Sequence, residues 1–209
     1  MDSPTDEALL DAWVAGDRQA GAALFERHYE SIARFFAYKL GPDHDDLIQA
    51  TFLGLIEGAQ RFRNTGSVRS FLFAIARNKL LKHLEQGSRA RKRFDPSKTS
   101  ITSDEAGVED LLEAHDDRRL LVMALRQLPL DTQIMLELHY WESMELKDIA
   151  LVFEMPLNTV KTRMRRGRLK LEELLEALAE SPQQLELTRS TLTGWAAKLR
   201  AELDERGGS

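Results

Sequence analysis

The chain has 209 residues, 43% of them apolar and 30% charged, with 29 Lys or Arg against 34 Asp or Glu and a net charge of -5. This composition suits one medium domain or two small ones and excludes wholesale disorder. It contains no cysteine, which excludes disulfides, thiol redox chemistry and Cys-ligated zinc. No uninterrupted apolar run approaches the roughly 18 residues of a membrane span. The opening MDSPTDEALLDAW is acidic and polar, unlike a secretory leader, so a cytoplasmic protein is expected. The net negative charge argues against indiscriminate coating of nucleic acid but leaves room for a local basic site.

Helical periodicity recurs along the chain, and alternating strand patterns are nearly absent. Leu9, Leu10 and Trp13 predict a short amphipathic helix, broken at Gly16-Asp17. Leu24, Phe25, His28, Tyr29, Ile32, Phe35 and Phe36 predict a second, stopped by Gly41-Pro42. Asp43 or Asp45 is expected to cap a third, whose apolar stripe is Leu47, Ile48, Phe52, Leu55, Ile56 and Ala59. The polar loop RFRNTGSVRS leads to a fourth helix in FLFAIARNKLLKHLEQ.

From Gly87 to about Asp117 the character changes. GSRARKRFDPSKTS is basic and polar, and SDEAGVEDLLEAHDD carries seven acids and no Lys or Arg. This segment reads as a linker with one helical turn near Leu111 and Leu112. Helices resume at Arg118 and run to Pro129; Asp131 is expected to cap TQIMLELHYWE. A short helix follows over Glu145 to Phe153, then the turn EMPLN, then a basic helix capped by Asn158 or Thr159 that runs to about Ala179. Beyond Ser181-Pro182, Leu187, Leu192, Trp195, Leu199 and Leu203 predict one more amphipathic segment, either a plain extension of the fold or an element packing on a preceding domain. The expected fold is all-α: two small helical domains joined by a flexible linker, the second a helix-turn-helix, plus a C-terminal helical extension. The boundaries are 1–90, 91–117, 118–180 and 181–209.

The basic helix packs six Lys or Arg into the thirteen positions from Asn158 to Lys170, with no acid among them. Two short helices joined by a tight turn, the second basic, are the sequence form of a helix-turn-helix. Ile149, Ala150 and Phe153 share a face of the first helix, and Val160 and Met164 are spaced to pack the second back onto it. That turns Asn158, Lys161, Thr162, Arg165, Arg166 and Arg168 outward, where Lys and Arg pair with phosphate or guanine edges and Asn and Thr read bases or phosphates. The competing reading is a solvated helix face, which ordinarily interleaves charges of both signs.

The stretch ALRQLPLDTQIMLELHYWESMELKDIALVFEMPLNTVKTRMRRGRLKL resembles the second DNA-binding domain of bacterial sigma factors, the promoter-recognition subunits of RNA polymerase. The resemblance rests on a Leu-Pro before a helix, an Ile-Ala helix, and Pro156, Thr159, Val160, Lys161 and Arg163. It implies contact with the -35 promoter element through Asn158, Thr159, Lys161, Thr162, Arg163, Arg165, Arg166 and Arg168. Glu154 stands where the family usually has Gly in the inter-helix turn, at a cost of about 1 kcal/mol if the backbone there is left-handed.

DDLIQATFLGLIEGAQRFRNTGSVRSFLFAIARNKLLKHL resembles the other sigma domain. The resemblance implies docking on the clamp helices of the core polymerase through Asp46, Leu47, Gln49, Phe52 and Leu53. It also implies melting and capture of the -10 element through Arg63, Asn64, Thr65, Gly66, Ser67, Phe71, Arg77, Asn78, Lys79 and Lys82. The physical requirements agree, since single strands are held by cationic grooves and aromatic faces, and an extruded base needs a polar pocket. Alternatives stay open at several positions: core packing for Phe71 and Phe73, a capped helix start for Asp46 and Gln49, and a solubilising spacer for the acidic linker. Ala50, Ala74 and Phe71 depart from the family's usual Glu, Arg and Trp.

With two sigma domains in order and none between, the chain is similar to the small extracytoplasmic-function type. The partners this implies are core polymerase (clamp helices and flap) and promoter DNA, with room for an anti-sigma factor. A stand-alone helix-turn-helix transcriptional regulator and a decoy that binds polymerase without starting transcription are the alternatives. The five histidines, His28, His44, His83, His115 and His139, lack metal-ligand spacing, and no glycine-rich phosphate loop or catalytic constellation emerges. No metal, cofactor or enzymatic activity is expected.

Overall fold

A computed structural model describes residues 3–41, 44–62, 66–87, 95–100 and 116–188. Helices account for nearly all of them, and no strand occurs among the described residues. They are α1 (Asp6–Val14), α2 (Arg18–Leu40), α3 (Asp45–Phe62), α4 (Val68–Gly87), α5 (Asp116–Arg126), α6 (Leu130–Tyr140), α7 (Leu146–Val152) and α8 (Leu157–Leu178). The chain packs as two units, one formed by Met1–Lys92 with Lys147–Met155, the other by Arg93–Leu146 with Pro156–Ser209.

In the first unit α1 to α4 form a bundle with α3 against α4 and α1 against α2 as its main seams. Leu24, Ile32 and Phe36 of α2, Leu55 of α3 and Leu72, Ala76 and Leu80 of α4 are fully buried. The break expected at Gly16-Asp17 has a defined chemistry. Gly16 takes a left-handed φ of 102°, and the Asp17 carboxylate accepts from the amides of Gln19 (2.8 Å) and Ala20 (3.2 Å) to start α2. Gly41, at φ 86°, ends it. Helix α3 presents Gly58 to α4: a Cβ there would lie 2.6 Å from the Phe71 ring, so the small residue is what lets these helices close. Asp43, one of the two expected caps of α3, lies outside the described residues; Asp45 is already helical.

Helix α1 is held to α2 by Asp6, whose carboxylate pairs with His28 Nε2 at 2.7 Å and Arg27 at 2.6 Å. Burial raises the Asp6 pKa, but the hydrogen bonds and charge of His28 and Arg27 outweigh it and leave the group below its ordinary 3.8. A carboxylate depressed on folding stabilises the protein above its unfolded pKa, and that contribution is lost as pH falls through the folded value. In acid unfolding, Asp6→Asn is therefore expected to be less stable than wild type near neutrality, the two curves converging below pH 3.8. A constant gap down to the lowest pH would contradict the assignment.

In the second unit α8 lies against both α5 and α6. Leu121, Leu128, Leu130, Ile134, Met135, Leu136, Val160 and Leu175 are fully or almost fully buried. A Cβ at Gly167 of α8 would stand 2.5 Å from Thr132 Cγ2 of α6, so these two axes also approach closely. Two caps differ from expectation. Helix α6 begins at Leu130 with Pro129 before it and no side-chain cap, and Asp131 lies inside its first turn. Likewise α8 begins at Leu157 with Pro156 before it and no side-chain cap, so neither Asn158 nor Thr159 caps it. In both cases the extended proline (ψ 139° and 140°) delivers the chain directly into the helix, two residues before a cap at Asp131 or Asn158 would start it.

Helix α8 ends at Leu178, and a further helical turn spans 182–188, its start closed by Ser181 Oγ accepting from Gln184 N at 3.2 Å. On that turn Leu187 is 58% exposed, so it does not begin a buried stripe; Leu192, Trp195, Leu199 and Leu203 lie outside the described residues, as do Leu111 and Leu112.

Candidate nucleic-acid interface

Helix α8 is two-sided. Val160, Met164, Gly167, Leu171 and Leu175 recur at spacings of three and four and are buried, which turns the opposite face to solvent. Asn158, Lys161, Thr162, Arg165, Arg166 and Arg168 are all exposed there, as the sequence predicts. Lys161, Arg165, Arg166 and Arg168 carry no ion pair among the described residues. Such a concentration of unpaired positive charge is the electrostatic footprint of a polyanion site. Three members of the set differ. Arg163 is half-buried and turned toward α6, its guanidinium 3.7 Å from the Asp131 carboxylate. Thr159 is half-buried. Thr162 Oγ1 donates back to Asn158 O at 2.9 Å, which occupies its proton.

The turn before α8 is closed by Phe153 N donating to Ile149 O and Met155 N to Ala150 O. Glu154, where the sequence resemblance points to glycine, has φ 49°. Left-handed backbone costs an L-residue about 1–2 kcal/mol, and glycine's greater freedom when unfolded takes back about 0.5–1 kcal/mol of any relief. Glu154→Gly is thus expected to stabilise the chain by roughly 0.5–1 kcal/mol, read as a higher midpoint in urea; a lower midpoint would contradict the strain argument.

In the first unit α4 supplies a second basic surface. Asn78 and Lys82, one turn apart, are exposed, and Lys79 is half-exposed beside them. The Arg77 guanidinium lies 4.5 Å over the Phe153 ring centroid. Phe71 is half-buried and stacked on Phe62 at 5.2 Å, and Phe73 is a core residue edge-on to Phe35 at 5.8 Å. Gly66, at φ 103°, is exposed. Ser67 starts α4: its Oγ accepts from Ser70 N at 3.2 Å. Arg63, Asn64 and Thr65 lie outside the described residues.

Helix α3 separates the residues expected to dock polymerase into two groups. Asp46, Gln49 and Leu53 recur at three and four and are all exposed, Leu53 at 59%. Leu47 and Phe52 face inward: both are buried, Phe52 against the Phe25 ring at 4.6 Å. Both were expected among the docking residues, and both lie in the core of this unit, not on its surface. The half-buried Ala50 lies between Asp46 and Leu53 on the same side.

Sequence reasoning missed two features. Residues 95–100, taken as linker, are fixed to the second unit: Leu130 N donates to Thr99 O and Asp131 N to Pro96 O, both at 3.0 Å. Lys170, the last base of the run, closes one flank of a cleft there. No described helix is long and apolar enough to cross a membrane, and no cluster of metal-ligating side chains occurs among the described residues.

Two stretches match family models, one described as Sigma-70 region 2 over residues 24–90, the other as Sigma-70, region 4 over residues 118–171. They fall on the two basic surfaces just described, and together they define a sigma-70-type transcription protein. The ECF RNA polymerase sigma factor SigM of Mycobacterium tuberculosis is 30% identical over 173 residues, 82% of this chain and 85% of that protein. The ECF RNA polymerase sigma-E factor of Escherichia coli (strain K12) is 22% identical over 183 residues, 83% and 96% of the respective chains. Among solved structures, CnrH in complex with the cytosolic domain of CnrY superposes with a TM-score of 0.61 at 22% identity, over 83% of this chain and 99% of that one. RpoE from Bartonella quintana, in complex with the anti-sigma factor NepR, gives 0.55 at 19% identity, over 73% and 94%. The chain belongs to the extracytoplasmic-function (ECF) RNA polymerase sigma factors. It acts in promoter-specific initiation of transcription, with core RNA polymerase and promoter DNA as its partners.

Proposed function

We propose that the two basic surfaces divide promoter recognition between them. Residues 118–180 form the domain that reads the -35 duplex, with Asn158, Lys161, Thr162, Arg165, Arg166 and Arg168 of α8 toward the major groove and Thr159 and Arg163 at its flank. Residues 1–90 form the domain that docks polymerase through Asp46, Gln49 and Leu53. That domain also engages the melted -10 strand through Arg63, Asn64, Thr65, Gly66, Ser67, Phe71, Arg77, Asn78, Lys79 and Lys82. Residues 91–117 connect the two domains, and 181–209 form an extension.

The single observation that carries this reading is the face of α8, where four exposed bases have no acidic partner among the described residues while the opposite face is packed. Duplex DNA supplies what that face lacks, a dense line of negative charge in a groove that admits a helix. The chain makes no bond itself and directs the polymerisation carried out by its partner in the cytoplasm. CnrH is seen in complex with the cytosolic domain of CnrY and RpoE with the anti-sigma factor NepR, which supports an anti-sigma factor for this chain too.

The test is footprinting of the holoenzyme on a promoter fragment. The reading expects protection of duplex near -35 and single-strand reactivity near -10, both absent with core polymerase alone. Protection by the isolated chain equal to that by holoenzyme would favour a stand-alone regulator.

A further inference from the structure

Beside α8 the second unit holds a cleft of about 360 Å³, bounded by the 95–100 segment, by Leu128–Thr132 at the start of α6 and by one flank of α8. Its charged lining is Lys98, Arg163, Arg166 and Lys170 against a single acid, Asp131. Arg163, Arg166 and Lys170 are three and four residues apart and so share one flank of the helix. Lys98 comes from a piece of chain some sixty residues earlier, and its position is built. Asp95 closes a turn by accepting from Ser97 N at 3.0 Å and from Ser97 Oγ at 2.7 Å, and its backbone carbonyl accepts from the amides of Lys98 and Thr99. The carbonyls of Pro96 and Thr99 then take the amide protons of Asp131 and Leu130. These are two of the unsatisfied donors at the start of α6, which is how a segment without regular structure is held against a helix.

We propose that this cleft seats a backbone phosphate of the promoter duplex adjoining the bases that α8 reads, with Lys98, Arg166 and Lys170 as its ligands, so that residues 95–100 belong to the DNA-binding surface. The inference rests on the reading of α8 as the DNA-contacting helix. Asp131 holds Arg163 at the back of the cleft at 3.7 Å and leaves the outer rim to the other three cations. Two of those have acidic neighbours, Lys98 with Asp95 at 3.6 Å and Lys170 with Glu173 at 2.8 Å. Both pairs are exposed, and exposed pairs are weak and readily exchanged for a stronger anion. Arg166, exposed and without an ion pair among the described residues, belongs both to the cleft and to the outer face of α8, so the two surfaces are continuous. Ser97 takes no part as a donor, because its hydroxyl proton is spent on Asp95.

The experiment measures the affinity of holoenzyme for a duplex carrying one of its own promoters across a salt series. Wild type is compared with Lys98→Ala, with Lys98→Ala/Lys170→Ala, and with Arg165→Ala as the reference for the α8 reading. Each lost phosphate contact lowers the slope of log affinity against log salt by about 0.9. Lys98→Ala is expected to weaken binding at low salt, and its deficit should shrink about 3.5-fold between 50 and 200 mM salt. Because a phosphate carries no sequence information, the loss should be equal on promoters of different -35 sequence. An unchanged slope and affinity in the double variant, with Arg165→Ala impaired, would overturn the cleft alone. An unimpaired Arg165→Ala would overturn the α8 reading and the cleft with it. Inorganic pyrophosphate at constant ionic strength distinguishes a free anion from DNA. If pyrophosphate raises the melting temperature of wild type but not of Lys98→Ala while promoter affinity is the same in both, the cleft is a small-anion site and the DNA assignment is wrong.

Discussion

Replacing Arg165 and Arg166 together with alanine is expected to reduce promoter-dependent transcription at least tenfold while the chain still assembles with core polymerase. Both side chains are on the exposed face of α8 and neither is ion-paired among the described residues, so removing them breaks nothing inside the described fold. A bidentate contact to a base edge discriminates by about 1–3 kcal/mol, and each phosphate contact adds its own salt-dependent share. Two such losses correspond to roughly thirtyfold to more than ten-thousandfold, before any non-additivity. Run-off transcription at fixed holoenzyme concentration reads the effect, and unchanged transcription would remove both residues from the DNA interface. The buried face of the same helix predicts a different phenotype. Truncating Leu171 or Leu175 would cost folding and depress core binding along with promoter use.

Leu53→Asp is expected to weaken association with core polymerase by about thirtyfold or more, the equivalent of about 2 kcal/mol at an interface hot spot. A leucine 59% exposed in the middle of an otherwise amphipathic helix contributes little to folding, and surface substitutions of that kind stay within about 0.5 kcal/mol. On a protein partner the same leucine would be covered, with Asp46 and Gln49 on either side supplying polar contacts. Urea unfolding of the variant should therefore match wild type while binding to core, measured by fluorescence anisotropy, is lost. Equal affinity in wild type and variant would place the docking surface elsewhere. The corresponding change at Leu47 would not discriminate, because that residue is buried and its loss would unfold α3.

The difference between Leu53 and Leu47 shows what a sequence yields and what it withholds. The motif around Asp46 to Leu53 was legible as a block, and the apolar periodicity placed α3 itself. Only the helix phase separates 46, 49 and 53 from 47 and 52, and apolar type alone does not, since Leu occurs on both faces. The basic face of α8 was legible down to individual residues because charge and periodicity agree there. Its cap was not, because Pro156 takes the place where Asn158 would rank higher by side-chain chemistry; Pro129 does the same to Asp131. Residues 95–100 were hidden for another reason. They have no periodicity, and their place is fixed by backbone hydrogen bonds to a helix start thirty residues away, which no side-chain pattern encodes. Glu154 ran the other way. The sequence flagged a position suited to glycine, and the backbone there is left-handed at φ 49°.

The central claim, that this chain confers promoter specificity on RNA polymerase, is tested most directly by mixing it with bacterial core polymerase and a library of promoter fragments and sequencing the run-off transcripts. The account predicts initiation from a defined subset that core alone does not use, with shared -35 and -10 elements emerging from the set. Transcripts no different from those of core alone, from a chain that binds promoter DNA unaided, would contradict it.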